Sequence, residues 1–176
     1  TDGSRIYAGS FDGRVAAFDA REGDRVWDVD TDLPLAAGPG YDGGVIAFGT
    51  MDGDLLALDA ETGEELWRQS VGSEILASPA IGSDVVVVRS VDGQLRGFSA
   101  AEGRLLWSVV QTVPALTTRG NTAPYIAGTV VVTGFDNGRL GAYDISNGDP
   151  LWEVAVAVPT GRTELERLVD MSAGVQ

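Results

Sequence analysis

The side chains able to do chemistry in this chain are carboxylates and arginines, because its 176 residues include neither Cys nor His. Their absence removes disulfides, cysteine nucleophiles, thiolate and imidazole metal ligands and the usual catalytic triads. Asp and Glu number 26 against 12 cations, every one an Arg, for a formal charge of −14. That charge argues against nucleic acid as a partner, and neither a P-loop nor a strand-to-helix GxGxxG is present. An acid–base pair would have to come from residues such as Glu164, Glu166 and Asp170, which have no second element of a site beside them. Asp52-Gly53-Asp54 lacks the remaining oxygen ligands of a calcium loop, so no metal, no cofactor and no catalytic residue is assigned. The cation whose setting points to a function is Arg119. It lies in a stretch, 112–122, that is longer than its counterparts elsewhere in the chain and mixes apolar side chains with one positive charge. Arg with apolar anchors on a scaffolded loop has the composition of an interface hot spot, although the same side chain could cap a carbonyl or pair with an acid. The stretch 162–170, with alternating charges around Leu165, Leu168 and Val169, reads equally as a short helical turn at a partner surface or as packing at a blade edge.

The elements that must position these residues follow from the tryptophans, which stand at 27, 67, 107 and 152, spacings of 40, 40 and 45. Aligned on Trp27, Trp67, Trp107 and Trp152, the chain repeats FDGRVAAFDAREGDRVW, MDGDLLALDAETGEELW, VDGQLRGFSAAEGRLLW and FDNGRLGAYDISNGDPLW. Each unit begins with an apolar, partly β-branched run (5–10, 45–50, 85–90, 130–134) that leads into an Asp-Gly or Asp-Asn-Gly turn. A second run (14–19, 54–59, 94–99, 139–144) ends at a turn containing Gly23, Gly63, Gly103 or Gly148, and a third carries the Trp. A fourth strand, interrupted by Gly and Pro, is expected at 35–40, 75–81 and 123–126.

Four antiparallel strands in 40 to 45 residues make the blade of a β-propeller, in which blades bury their faces against one another. The spacing predicts an all-β chain forming one partial propeller domain over 1–176. Its repeats run approximately 1–30 (incomplete), 31–71, 72–111, 112–158 and 159–176, the last being the start of a further blade. No apolar run approaches the roughly 18 residues of a membrane span.

At 57–67 the text Ala57-Leu-Asp59-Ala-Glu-Thr62-Gly63-Glu-Glu-Leu-Trp67 resembles the AxDxxTGxxxW tryptophan-docking motif of quinoprotein-like, PQQ-repeat propellers. The Gly takes the turn, Asp19, Asp59 and Asp144 accept turn N–H groups, and the ring packs on the adjacent blade. The third copy has Gly97 and Ser99 for Ala and Asp, and weaker docking is expected there. More specifically, 116–124 and 159–170 resemble the BamB family, lipoproteins of the outer-membrane β-barrel assembly machinery. That resemblance implies an eight-bladed propeller, of which this chain supplies about half. It also implies a non-catalytic scaffold binding the periplasmic domains of the barrel subunit BamA, on the periplasmic face of the outer membrane, with the lipid anchor upstream of Thr1. Leu116 and Arg119 match the family's partner-contacting loop and Asp170 its first acid, while Thr118 stands where Leu is frequent and Ser172 where a second Asp is expected. The alternatives are a PQQ-dependent dehydrogenase fragment, implying PQQ and calcium, and a generic periplasmic propeller binding another protein. Because the repeats open and close out of phase, a head-to-tail homodimer of the chain is also expected.

Overall fold

The structure, a computed structural model, describes residues 3–111 and 122–156. These form four antiparallel sheets, each a meander of strands consecutive in sequence. The first has three strands, β1 (Arg5–Gly9), β2 (Arg14–Asp19) and β3 (Arg25–Asp30). The second comprises β4 (Gly40–Asp42), β5 (Val45–Gly49), β6 (Asp54–Asp59) and β7 (Glu65–Ser70). The third comprises β8 (Ala80–Gly82), β9 (Val85–Arg89), β10 (Gln94–Ser99) and β11 (Leu105–Val110), and the fourth β12 (Tyr125–Ala127), β13 (Val130–Gly134), β14 (Arg139–Asp144) and β15 (Pro150–Ala155). The architecture is the all-β blade arrangement that the repeat spacing predicts.

The two central strands of each blade follow from β-rich runs closed by a glycine turn. Gly53 turns β5 into β6 at φ +83°, and a Cβ there would stand 2.8 Å from the backbone N and O of Ser73. The short leading strand differs from expectation. It begins at Gly40, Ala80 and Tyr125 and has three residues each time, whereas Leu35 makes only an isolated bridge to Thr50. Pro39, Pro79 and Pro124 immediately precede these strands, and proline has no N–H to give a ladder, so pairing starts one residue later.

Side chains alternate between the two faces of every strand, and in β5, β6, β9 and β10 both faces are covered. Ile46, Phe48, Leu56 and Leu58 pack on Tyr7, Val15 and Ala17 of the preceding blade. Their neighbours Ala47, Leu55 and Ala57 pack with Val86, Val88 and Phe98 of the following one. A third cluster joins Val87, Leu95 and Trp107 to Val131, Phe135, Tyr143 and Ile145. The hydrophobic core is thus a series of layers between blades. In each blade the last strand carries a bulge beside Ala17, Ala57, Gly97 or Ala142, one residue ahead of the Trp. The extra residue increases local twist and turns the ring toward the next blade.

Candidate protein-interaction site

The docking contacts come first, because they fix the frame from which any loop projects. Trp27 donates its indole N–H to the Ala60 carbonyl (3.1 Å), Trp67 to that of Ala100 (2.7 Å) and Trp107 to that of Ile145 (2.7 Å). Each acceptor follows the Asp or Ser that opens the glycine turn of the next blade. The ring then lies on the turn glycine: a Cβ on Gly63, Gly103 or Gly148 would stand 2.5 to 2.8 Å from Trp27, Trp67 or Trp107. Left-handed φ values of +68° to +77° at these three positions also favour glycine.

The turns are held by the predicted carboxylates. Asp19 accepts the N–H groups of Arg21 and Glu22, and Asp59 those of Glu61 and Thr62. Asp144 accepts both the amide and the hydroxyl of Ser146. Hydrogen bonds to the ionised form hold Asp19, through Glu22 and Arg21, and Asp144, through Ser146, below the usual carboxylate range. At the third copy the turn itself is held by fewer bonds than at Asp59, yet the tryptophan still docks. Ser99 accepts from the Glu102 amide at 3.3 Å, and the Trp67 bond into that turn is 2.7 Å long, shorter than the bond into the Asp59 turn. One side-chain oxygen and the glycine are enough to shape the socket. Gly97 has its own use, since a Cβ there would stand 2.3 Å from the Trp107 ring.

The partner-binding residues expected from sequence, Leu116, Thr118, Arg119 and Asp170, lie outside the described residues, as does 159–176. The structure does describe both stems of the stretch that contains Arg119. On the leading side, Gln111 donates its backbone N–H to Gly93 and its side-chain amide to the Tyr143 hydroxyl (3.0 Å) and the Glu153 carboxylate (3.2 Å). Glu153 in turn pairs with Arg139. Burial raises the Tyr143 phenol above its usual range, against the Gln111 hydrogen bond and with help from the Glu153 charge, so the hydroxyl stays protonated at neutral pH. On the trailing side Thr122 is buried. Gln111, the last described residue before the stretch that contains Arg119, thus lies at the junction of the third and fourth blades.

That junction also holds a pair the sequence did not announce. Arg89 and Asp136 meet at 2.6 Å with side chains 3% and 5% exposed, and the guanidinium carbon lies 5.8 Å from the Phe135 ring centre. The signal was present as two departures from the repeat. Arg89 stands where the other copies have Gly9, Gly49 and Gly134, and Asp136 where they have Phe11, Met51 and Val91. Among the described residues no group of three or more His, Cys, Asp or Glu gathers to hold a metal. What the arrangement offers chemically is a set of fixed blades with loops leaving their junctions.

Comparison with known proteins adds the following. A family model described as outer membrane protein assembly factor BamB matches residues 11–175. The curated BamB of Alkalilimnicola ehrlichii is 56% identical over 39 residues, 22% of this chain and 10% of that protein. The crystal structure of BamB from Moraxella catarrhalis aligns with a TM-score of 0.87 at 30% identity, covering 94% of this chain and 50% of that one. Quinohemoprotein alcohol dehydrogenase ADHIIG from Pseudomonas putida aligns with a TM-score of 0.69 at 17% identity, over 88% of this chain and 33% of that one, a likeness of fold alone. The chain thus spans about half the length of the solved BamB and a smaller part of the dehydrogenase.

Proposed function

The chain belongs to the BamB family, and from that premise we propose that it is a non-catalytic scaffold of outer-membrane protein assembly that binds the periplasmic domains of the barrel subunit BamA. Its place would be the periplasmic face of the outer membrane, where a lipid anchor holds the full-length protein. The observation that carries this reading is the family match across residues 11–175. Two features support it. Successive blades are locked by buried layers and docked tryptophans, which gives a loop-bearing frame little freedom to deform. Gln111, which precedes the stretch containing Leu116, Thr118 and Arg119, is held to the fourth blade by hydrogen bonds to Tyr143 and Glu153, and a held stem lowers the ordering entropy that binding costs. Arg119 and its apolar neighbours supply the contact, with Asp170 as an acidic counterpart.

Calorimetric titration with the periplasmic domains of BamA, using the parent chain and Arg119→Glu, tests the reading. Micromolar or tighter binding by the parent, weakened at least about tenfold in the variant, supports it. Absence of binding by the parent overturns it, and equal binding by both proteins moves the contact away from Arg119. The fold likeness to quinohemoprotein dehydrogenases leaves one competing reading, a PQQ-dependent enzyme fragment. Saturable quenching of tryptophan fluorescence by PQQ with calcium would favour that enzyme.

A further inference from the structure

Between neighbouring blades runs the connection from the outer strand of one to the leading strand of the next, and at the first two junctions it contributes a buried aliphatic side chain, Leu35 and Ile75. Leu35 packs in the layer between the first and second blades, Ile75 in that between the second and third. The backbone holds Ile75 in place from both sides: its N–H donates to the Thr50 carbonyl of the second blade, and Val91 of the third donates to the Glu74 carbonyl, both at 3.0 Å. Glycine at the end of β1 or β5 makes the room. A Cβ on Gly9 would stand 2.6 Å from Phe48 and 3.0 Å from Leu35, and one on Gly49 only 2.3 Å from Ile75. An aliphatic plug and a side chain at that strand end therefore exclude each other in a close-packed junction.

At the third junction the two positions are exchanged. The strand end there is not glycine but Arg89, at the end of β9. Leu35 and Ile75 stand five residues after the end of their outer strands and four before Pro39 and Pro79; the same counts here reach Ala115 and Gly120, neither with a side chain of comparable size. The turn of the fourth blade changes in step. Phe135 replaces the hydroxyl residue that stands at Ser10, Thr50 and Ser90, and Asp136 replaces the apolar residue at Phe11, Met51 and Val91. Phe135 is buried, meets Tyr143 edge to face with ring centres 6.2 Å apart, and carries the Arg89 guanidinium over its ring. Asp136 pairs with that guanidinium at 2.6 Å.

We infer that Arg89, Phe135 and Asp136 seal the third junction in place of the plug, so that the stretch 112–121 owes the core no side chain and is left to serve a partner. The exchange is self-consistent. The arginine stem and the phenyl ring supply the apolar volume that Leu35 or Ile75 supplies elsewhere. Asp136 compensates the charge that the stem carries inward, without which burying a guanidinium would be strongly unfavourable. A side chain that both plugs a core and touches a partner cannot be changed for one task without loss in the other, and a seal built from the blades themselves separates the two tasks. The seal stands apart from the scaffold reading, whereas the service to a partner rests on it.

Thermal melts test the seal on the parent chain and three variants. The first is Ile75→Ala, the second replaces 112–121 with glycine and serine at equal length while keeping Pro114, and the third combines Arg89→Gly, Phe135→Ser and Asp136→Val, the residues of the second junction. Ile75→Ala should lower the melting temperature by about 5 °C or more. The triple variant should lose at least as much, because it opens room for a plug that no residue fills. The glycine-serine chain should lose less than half as much as Ile75→Ala. A glycine-serine chain that melts as low as Ile75→Ala overturns the inference, since a side chain of the stretch would then be plugging the core, as does a triple variant as stable as the parent. Titrating the folded glycine-serine chain with the periplasmic domains of BamA then tests the use of the stretch. Binding weakened at least about tenfold relative to the parent supports the partner role, and unchanged binding overturns that role while the seal stands on its melts.

Discussion

A Cβ built on Gly103 would lie 2.5 Å from Cδ2 of Trp67, while one built on Gly23 has open space around it. Both residues have a left-handed φ, +68° and +74°. Conformation alone therefore penalises alanine about equally at the two sites, by about 1–2 kcal/mol. At Gly103 the added methyl must also displace a ring whose N–H is held at 2.7 Å by the Ala100 carbonyl, and forcing extra volume into such a contact costs about 1–3 kcal/mol more. Urea unfolding at dilute protein should therefore show Gly103→Ala losing clearly more stability than Gly23→Ala, with no change in the slope of the transition. Equal losses would mean that the turn requires glycine for its backbone only, and that ring docking contributes little.

At the scale of the element, the third and fourth blades are joined differently from the others, because β9 ends in Arg89 rather than glycine and the turn after β13 carries Asp136. Removing one member of a buried, hydrogen-bonded pair leaves a charge without compensation and costs about 3–5 kcal/mol, whereas replacing both with apolar groups is often neutral. Asp136→Asn should thus destabilise the chain strongly, and Arg89→Met with Asp136→Leu should recover most of the loss in a thermal melt. A double variant as unstable as the single one would show that the guanidinium's stacking on Phe135 matters more than the pair. This junction marks the limit of what the sequence discloses. The strands β2, β6, β10 and β14 coincide with the runs expected from turn spacing, because Asp-Gly and the docking glycine bracket each of them. The leading strands β4, β8 and β12 were misplaced, since three residues are too few to show alternation and proline sets their start. The Arg89–Asp136 pair was visible only as two odd letters 47 positions apart, and only packing reveals that they meet. The docking tryptophans were legible as a period, but which glycine each ring would occupy required the strands to be in register.

At the scale of the whole molecule, the formal charge of −14 competes with the ion pairs that the acids make. Most of those pairs lie at the surface: Arg14 with Asp28, Arg68 with Glu65, Arg104 with Glu102 and Arg139 with Glu153. Exposed pairs of this kind contribute about 0–1 kcal/mol each and weaken with salt. Repulsion among the excess carboxylates acts over longer distances and is weakened by the same salt, whose screening length falls from about 30 Å at 0.01 M to about 8 Å at 0.15 M. The deeply buried pair among the described residues, Arg89 with Asp136, is screened much less, so it does not shift this balance. Every pair consumes one acid and one Arg, so the excess of 14 carboxylates stays unbalanced whatever the pairing, and self-repulsion destabilises a compact state. The melting temperature should therefore rise between 10 mM and 150 mM NaCl and then flatten, with most of the gain at the low end, where the screening length shortens fastest. A melting temperature that fell over this range would mean that the surface pairs outweigh the repulsion, and that the acidic surface is arranged to stabilise the blades.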